Sequence, residues 1–308
     1  MTVTEQAPRN TAELAQIVCD AHTARTPLRL EGRGGWSAAG TPAGRIRATA
    51  RPVSLAAIAG VVAYVPADLT LTLRAGTTLA ELNAITAEHN QWCPLLAWGD
   101  DTGTVGATFA TATGGPCAAA LGRPRDIALG IEFVDGAGMV VRGGGRVVKN
   151  VAGFDLTRLL VGSFGSLGAI TEVTVRLRAR PAVDVTWCVT RHGATAGSWL
   201  GLLQGGAITP LACEVPDDTR ASALGLDAGS ALVRYAGNAA LVAAAKAIAS
   251  SAGSIVEVDA SVWTRYRALD PRPRRLDGRP LVNTVAARIK ERFDPAGILN
   301  PGVFGEQA

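Results

Sequence analysis

The stretch Leu28–Gly40, LRLEGRGGWSAAG, starts as an apolar strand and breaks into four glycines, an arginine, a tryptophan and a serine. The residues beyond that break decide which folds remain open. A dinucleotide-binding turn needs Gly-x-Gly-x-x-Gly running into a helix, with an acidic residue about 20 positions later. Gly32 and Gly34 fit, but Ser37 stands at the third position and no Asp or Glu occurs again before Asp68. The next letters, AAGTPAG (Ala38–Gly44), cannot continue a helix, because two glycines and a proline interrupt them. No Gly-Lys-Ser/Thr occurs in the chain, which excludes a Walker loop. A strand that runs into a turn and stays a turn is left. Its backbone N–H groups are able to converge as a nest on a pyrophosphate, with Arg33 and Ser37 adding donors. From this loop alone, a tight surface turn around a packed Trp36 is an equal reading.

The 308 residues, 48% of them apolar, suffice for two packed domains. A net charge of +4 from 30 basic and 26 acidic side chains is scattered, and aromatics are only 5%, so no basic, aromatic-bearing nucleic-acid face is expected. Five cysteines (Cys19, Cys93, Cys117, Cys188, Cys213) give an odd set with no close pair, which argues for buried free thiols over disulfides or a metal site. The N-terminal letters MTVTEQAPRN lack a secretory pattern, and the longest apolar run, Leu55–Val65, is too short to span a bilayer. A cytoplasmic protein is the expectation.

Along the chain, Asn10–Ala24 places Leu14, Ile17 and Val18 on one helical stripe behind an Asn10 or Thr11 cap, and TPLRLEG reads as a strand. RIRAT (Arg45–Thr49) reads as a further strand, Ser54–Tyr64 as an apolar helix, Asp68–Gly76 as an alternating strand, and TTLAELNAITAEHN as a helix capped by Thr77 or Thr78. From Gly99 to Gly122 the chain is almost devoid of charge and full of Gly, Thr and Ala, so it either packs closely or lies against a ligand. Asp126–Gly145 carries a hairpin signal around Asp135-Gly136-Ala137-Gly138, and Leu167–Pro181 alternates like a half-buried antiparallel strand. Past Pro181, about 80 residues run in a βαββαβ order, the ferredoxin-like pattern. A basic, proline-broken segment comes next, RYRALDPRPRRLDGR (residues 265–279), and then an amphipathic helix ending in DPAGILNPG.

Taken together, the glycine turn, the run VKNVAGFDLTRLLVGSFGSLGAITEVTVRLRARP (Val148–Pro181) and DPAGILNPG resemble the vanillyl-alcohol-oxidase superfamily, with its p-cresol-methylhydroxylase-type (PCMH-type) FAD-binding fold. KNVAGFDL with GSFGSLGAITEV after it is similar in wording to the FAD-binding subunits of bacterial glycolate oxidases. The resemblance implies an α+β, two-subdomain FAD-binding fold over residues 1–181, a small ferredoxin-like cap over 182–262, and a segment 263–308 that returns to the first domain. It places the FAD pyrophosphate on Gly32, Arg33, Gly34, Gly35, Trp36 and Ser37, with Gly40 after them. Thr102, Thr104, Gly106, Ala107, Thr108, Thr111 and Gly115 would run along the pyrophosphate, ribose and flavin, where a buried charge would be costly. Arg123, Arg125 and Asp126 would form the turn near the flavin, though Asp126 reads equally as a cap or turn residue. The backbone of Ile170 would lie near the adenine end. Lys149 carries either a flavin contact or an ion pair with Asp155.

Covalent flavin attachment in this superfamily uses a histidine beside the first loop or a cysteine in the second. Trp36-Ser37 stand at the first place and Cys117 has no matching spacing, so FAD is expected to be non-covalent. Oxidation of a hydroxy acid needs a base, cations for the carboxylate and an open flavin face. His22, His89 and His192 lie apart, each in a separate helix or loop, so neither a catalytic residue nor a metal site is identified. The reading is an FAD carrier in a hetero-oligomeric glycolate dehydrogenase. Resemblance supplies its partners, a catalytic flavoprotein subunit and an iron-sulfur subunit that passes electrons to a membrane acceptor; through these the chain would sit peripherally at the inner membrane. The alternative is a self-sufficient FAD oxidoreductase on another small alcohol or acid. The arginine-rich segment reads as a solvated linker, a dock for an acidic partner, or a carboxylate site.

Overall fold

The computed structural model describes residues 5–35, 43–145, 155–191, 196–269 and 284–304. The first helix, α1 (Thr11–Ala24), starts where the Asn10 side chain accepts the Glu13 N–H and ends at Arg25 in a left-handed conformation. Its buried stripe, Leu14, Val18 and Ala21, packs on Leu28 and Val53 of two short strands, β1 (Leu28–Glu31) and β2 (Arg51–Ser54). These strands pair in parallel. Both ends of the chain extend the pair, since Gln6 bridges Val53 and Leu299 bridges Leu28.

Here the structure corrects two expectations. The strand after the glycine turn is Arg51–Ser54, while RIRAT opens with a single 3-10 turn at Ala43–Arg45. Ser54–Tyr64 is no helix: a tight turn at Leu55–Ile58 leads into β3 (Val61–Val65). Leu55 and Ile58 are both buried, and their spacing of three imitates a helical stripe. Gly60 at φ +113° breaks any helix, and three valines with Tyr64 favour a strand.

The main sheet of the first unit has the order β3-β4-β8-β6-β7, all antiparallel. It takes in β4 (Thr70–Arg74), after which α2 (Leu79–Ala87) opens with a capping box between Thr78 and Glu81. Next come β5 (Gln91–Trp92), α3 (Val105–Ala110), α4 (Ala118–Leu121) and α5 (Pro124–Ile127). The hairpin is β6 (Ala128–Val134) and β7 (Val140–Gly144); at its turn Asp135 accepts the N–H groups of Ala137 and Met139, both at 2.9 Å. After α6 (Leu156–Leu160) the chain returns through β8 (Ala169–Arg176) to the centre of the sheet, and β9 (Arg178–Ala179) pairs with β5. Phe109 of α3 is fully buried against Leu71, Leu73 and Val173 of the sheet.

The cap consists of β10 (Val183–Arg191), α7 (Ala196–Gln204), β11 (Ala212–Glu214), α8 (Asp218–Leu224), β12 (Ala231–Gly237), α9 (Ala239–Ala252) and β13 (Gly253–Val258). Its antiparallel sheet runs β11-β12-β10-β13, the ferredoxin-like order, with α8 as an addition. One face packs on α7 and α9 through Trp187, Trp199 and Val233. The other carries Ala212 and Leu232 against Trp92, Cys117 and Leu121 of the first unit. α10 (Ser261–Leu269) completes this joint with Val262, Trp263 and Tyr266, so it runs across the expected boundary at 262. The last helix, α11 (Thr284–Phe293), leads into the DPAGILNPG segment. No helix among the described residues is long and apolar enough to cross a membrane.

Candidate functional site

An open cleft lies in the first unit, where the end of β1, the start of α3 and the turn before β8 meet. The glycine turn forms one wall: Gly32, Arg33, Gly34 and Gly35 all line it. Gly34 sits at φ +74°, in the left-handed region that glycine adopts without strain. Among the described residues, the N–H groups of this turn donate to no partner, so they remain available to an anion. Ser54 Oγ donates to the Gly32 carbonyl at 3.1 Å and fixes the root of the turn.

The low-charge stretch forms the facing wall. Thr102, Thr104, Gly106, Ala107 and Thr111 line the cleft, and the two walls touch where a Cβ on Gly32 would lie 2.5 Å from Thr104 Oγ1. Thr104 caps α3 by accepting the Ala107 N–H at 3.3 Å, and Gly106 N–H donates to the Ala75 carbonyl at 2.8 Å, seating the helix on the end of β4. Part of the stretch lines the cleft and part packs against protein. Thr108 is buried and donates to the Thr104 carbonyl at 3.0 Å, and a Cβ on Gly115 would strike the Leu96 carbonyl; these two pack and do not line the cleft.

Ile170 lines the far side. Arg123, Arg125 and Asp126 lie outside the cleft, at an exposed turn where Asp126 accepts the Arg123 N–H at 3.0 Å and caps α5. Trp36, Ser37, Gly40 and Lys149, together with most of the arginine-rich segment, fall outside the described residues. Sequence reasoning passed over Arg29, Glu31, Asp100, Phe164, Gly165 and Asn300, which also line the cleft. The glycines of GSFGSLG and the letters LNPG were the signals, but nothing local shows that they face β1.

Charge in the cleft is sparse. Arg29 Nε lies 3.5 Å from Glu31, and Asp100 is held by the Thr102 hydroxyl and by its N–H at 3.1 Å. Close to the glycine turn, hydrogen bonds from the Thr78 N–H and hydroxyl at 2.7 and 2.8 Å hold the Glu81 carboxyl below the usual carboxylate range, and Arg33 pulls in the same direction. A largely buried ion pair lies beyond the cleft: Arg267 of α10 binds Asp101 at 2.8 and 3.2 Å and donates to the Ala97 carbonyl at 3.0 Å. It thereby fixes the base of the loop that carries Thr102 and Thr104.

Such a cleft fits a large, planar, phosphate-bearing nucleotide. One end offers unengaged amides with an arginine, and small uncharged residues form a wall a ring system can lie on. Residues 6–144 match the FAD binding domain family. Glycolate oxidase subunit GlcE of Escherichia coli (strain K12) is 34% identical over 175 residues, 56% of this chain and 48% of that protein. Glycolate oxidase subunit GlcD of Bacillus subtilis (strain 168) is 30% identical over 184 residues, 58% and 38% of the two chains. A D-lactate dehydrogenase of Archaeoglobus fulgidus is 33% identical over 174 residues, 55% and 37%. The matches thus span about half or less of the length of these curated relatives. Among solved structures, alkyldihydroxyacetonephosphate synthase superposes with a TM-score of 0.68 over 86% of this chain and 55% of that one, a likeness of fold at 17% identity. Residues 6–144, which hold the glycine turn and much of the cleft wall, therefore match the FAD binding domain family, within a chain folded in the p-cresol-methylhydroxylase manner.

Proposed function

We propose that this chain is the FAD-binding subunit of a hetero-oligomeric 2-hydroxy-acid dehydrogenase. It would hold FAD non-covalently and support oxidation of glycolate to glyoxylate beside a catalytic flavoprotein subunit, with electrons leaving through an iron-sulfur subunit. The observation that carries this reading is a cofactor cradle lined by neither histidine nor cysteine among the described residues, whose carboxylates are engaged, Glu31 by Arg29 and Asp100 by Thr102. Among the described residues, the ionisable groups lining the cleft are Arg29, Glu31, Arg33 and Asp100, with neither a histidine nor a cysteine. The lack of those two side chains at the cleft also favours an untethered flavin.

The amides of Gly32–Gly35, with Arg33 and the neighbouring Trp36, Ser37 and Gly40, would hold the pyrophosphate. Thr102, Thr104, Gly106, Ala107 and Thr111 would flank the ribose and ring, backed by Thr108 and Gly115, and the Ile170 backbone would meet the adenine end. Arg123, Arg125 and Asp126 would border the flavin end from the exposed turn. When bound, FAD supplies two-electron acceptor chemistry. This chain's own contribution is to bind, orient and shield it from water, while the base for the substrate hydroxyl comes from a partner.

The test is to purify the chain, record flavin absorbance, and add glycolate or D-lactate with and without co-expressed partner subunits. About one FAD per chain, released on denaturation and bleached only with partners present, is the expected result. Bleaching by the isolated chain would favour the self-sufficient oxidoreductase instead.

A further inference from the structure

Asn300 is 4% exposed and lies more than 150 residues beyond the end of the matched FAD binding domain, yet it lines the cleft. Its backbone continues the small parallel sheet: Leu28 N–H donates to the Ile298 carbonyl at 2.8 Å, and Asn300 N–H donates to the Leu28 carbonyl at 3.0 Å. There the pairing stops, because Asn300 turns into the left-handed region at φ +44°. Its side chain takes over. Oδ1 accepts the Leu30 N–H at 2.7 Å, and Nδ2 donates to the Phe164 carbonyl at 2.6 Å. One partner can only donate and the other only accept, so the amide has a single satisfied orientation.

These two bonds join the root of the glycine turn to the Phe164–Gly165 turn, and both lie in the cleft wall. The second turn is shaped for the contact. Phe164 and Gly165 have φ of +52° and +71°, and a Cβ on Gly165 would sit 2.7 Å from Asn300 Nδ2. Lys290 holds the approach in place, with its ammonium on the carbonyls of Ser166 and Leu299 at 2.7 and 3.0 Å.

We infer that Asn300 is a positioning residue for the cofactor, a clasp that sets the spacing between the glycine turn and the Phe164–Gly165 turn; the inference rests on reading the cleft as the FAD site. Asn300→Ala removes both bonds and leaves a buried donor and a buried acceptor unpaired, so FAD affinity falls roughly tenfold or more. Asn300→Asp keeps an acceptor for Leu30 but sets a second oxygen against the Phe164 carbonyl. Its FAD affinity, relative to the unmodified chain, recovers as the pH falls from 7.5 to 5 and the carboxyl regains a donor proton.

Flavin-fluorescence titration gives the dissociation constants, and thermal unfolding of the flavin-free proteins reports folding. Val233→Ala, in the cap core, is the control for general destabilisation; it lowers the unfolding midpoint and leaves FAD affinity unchanged. A tenfold loss in Asn300→Ala with acid recovery in Asn300→Asp supports the clasp. Unchanged affinity in Asn300→Ala, or a loss in Asn300→Asp indifferent to pH, overturns it while the FAD reading stands. An unmodified chain that takes up no FAD overturns both.

Discussion

Gly34→Ala separates a binding role for the glycine turn from a folding role. The residue has φ +74°, and an added Cβ meets no atom within 4 Å. No clash arises, and the cost is the left-handed conformation itself, about 1–2 kcal/mol for a residue with a Cβ. That corresponds to a factor of about 5–30 in an equilibrium constant. Gly34 is exposed, and among the described residues its N–H has no partner, so the flavin-free chain can relax the turn with little loss. A cofactor that needs the turn's amides to converge forbids that relaxation. The FAD dissociation constant is therefore expected to rise about 5–30-fold, while the flavin-free unfolding midpoint moves by no more than about 2–4 °C. Gly106→Ala is the contrast. Its Cβ would lie 2.6 Å from the Ala75 Cβ and 3.0 Å from the Ala75 carbonyl, an overpacked helix–strand contact that costs about 1–3 kcal/mol of stability. Fluorescence titration and thermal melts on the two variants decide the matter. Unchanged FAD affinity in Gly34→Ala, or a melting loss matching that of Gly106→Ala, would refute the assignment of the turn.

Arg267→Met should destabilise the chain toward the low end of roughly 3–5 kcal/mol, because it strands Asp101 and the Ala97 carbonyl while about a quarter of the Asp101 side chain stays exposed; urea unfolding measures it. Burial pushes the Cys93 thiol from its ordinary 9.0 up to about 12. Its contribution to stability is complete below pH 9 and is lost as the pH rises toward 12, since the unfolded thiol gives up its proton first. Urea stability measured between pH 8 and 11 should fall less steeply in Cys93→Ala; parallel slopes would contradict this. Within the native fold, thiol reagents should modify exposed Cys19 rapidly and Cys93 hardly at all, as peptide mapping would show.

Features whose cause is local were legible in the sequence. The Asn10 and Thr78 caps and the Asp135 turn each depend on residues within a few positions, whereas β8, which alternates in sequence like a half-buried strand, is buried on both faces because it lies at the centre of the sheet. The ferredoxin-like order of the cap was equally readable from its succession of patterns. Ser54–Tyr64 misled because Leu55 and Ile58 serve a buried turn with helical spacing, and periodicity cannot separate the two over so short a run. In the candidate site, the turn and the threonines were visible as motifs. What joins them was not. Arg267 meets Asp101 across 166 residues and Asn300 meets Leu30 across 270, and such pairings leave no trace in spacing.

The order of the chain also sets a timetable. β1 emerges early in synthesis with the whole matched domain behind it, but one edge of that strand waits for residues 298–300. Closing so long a loop adds little to its thermodynamic cost, which grows only with the logarithm of length. It does decide the sequence of events. The cleft stays unfinished until the cap and the residues after it, up to Asn300, have been made, so cofactor capture there would be a late step.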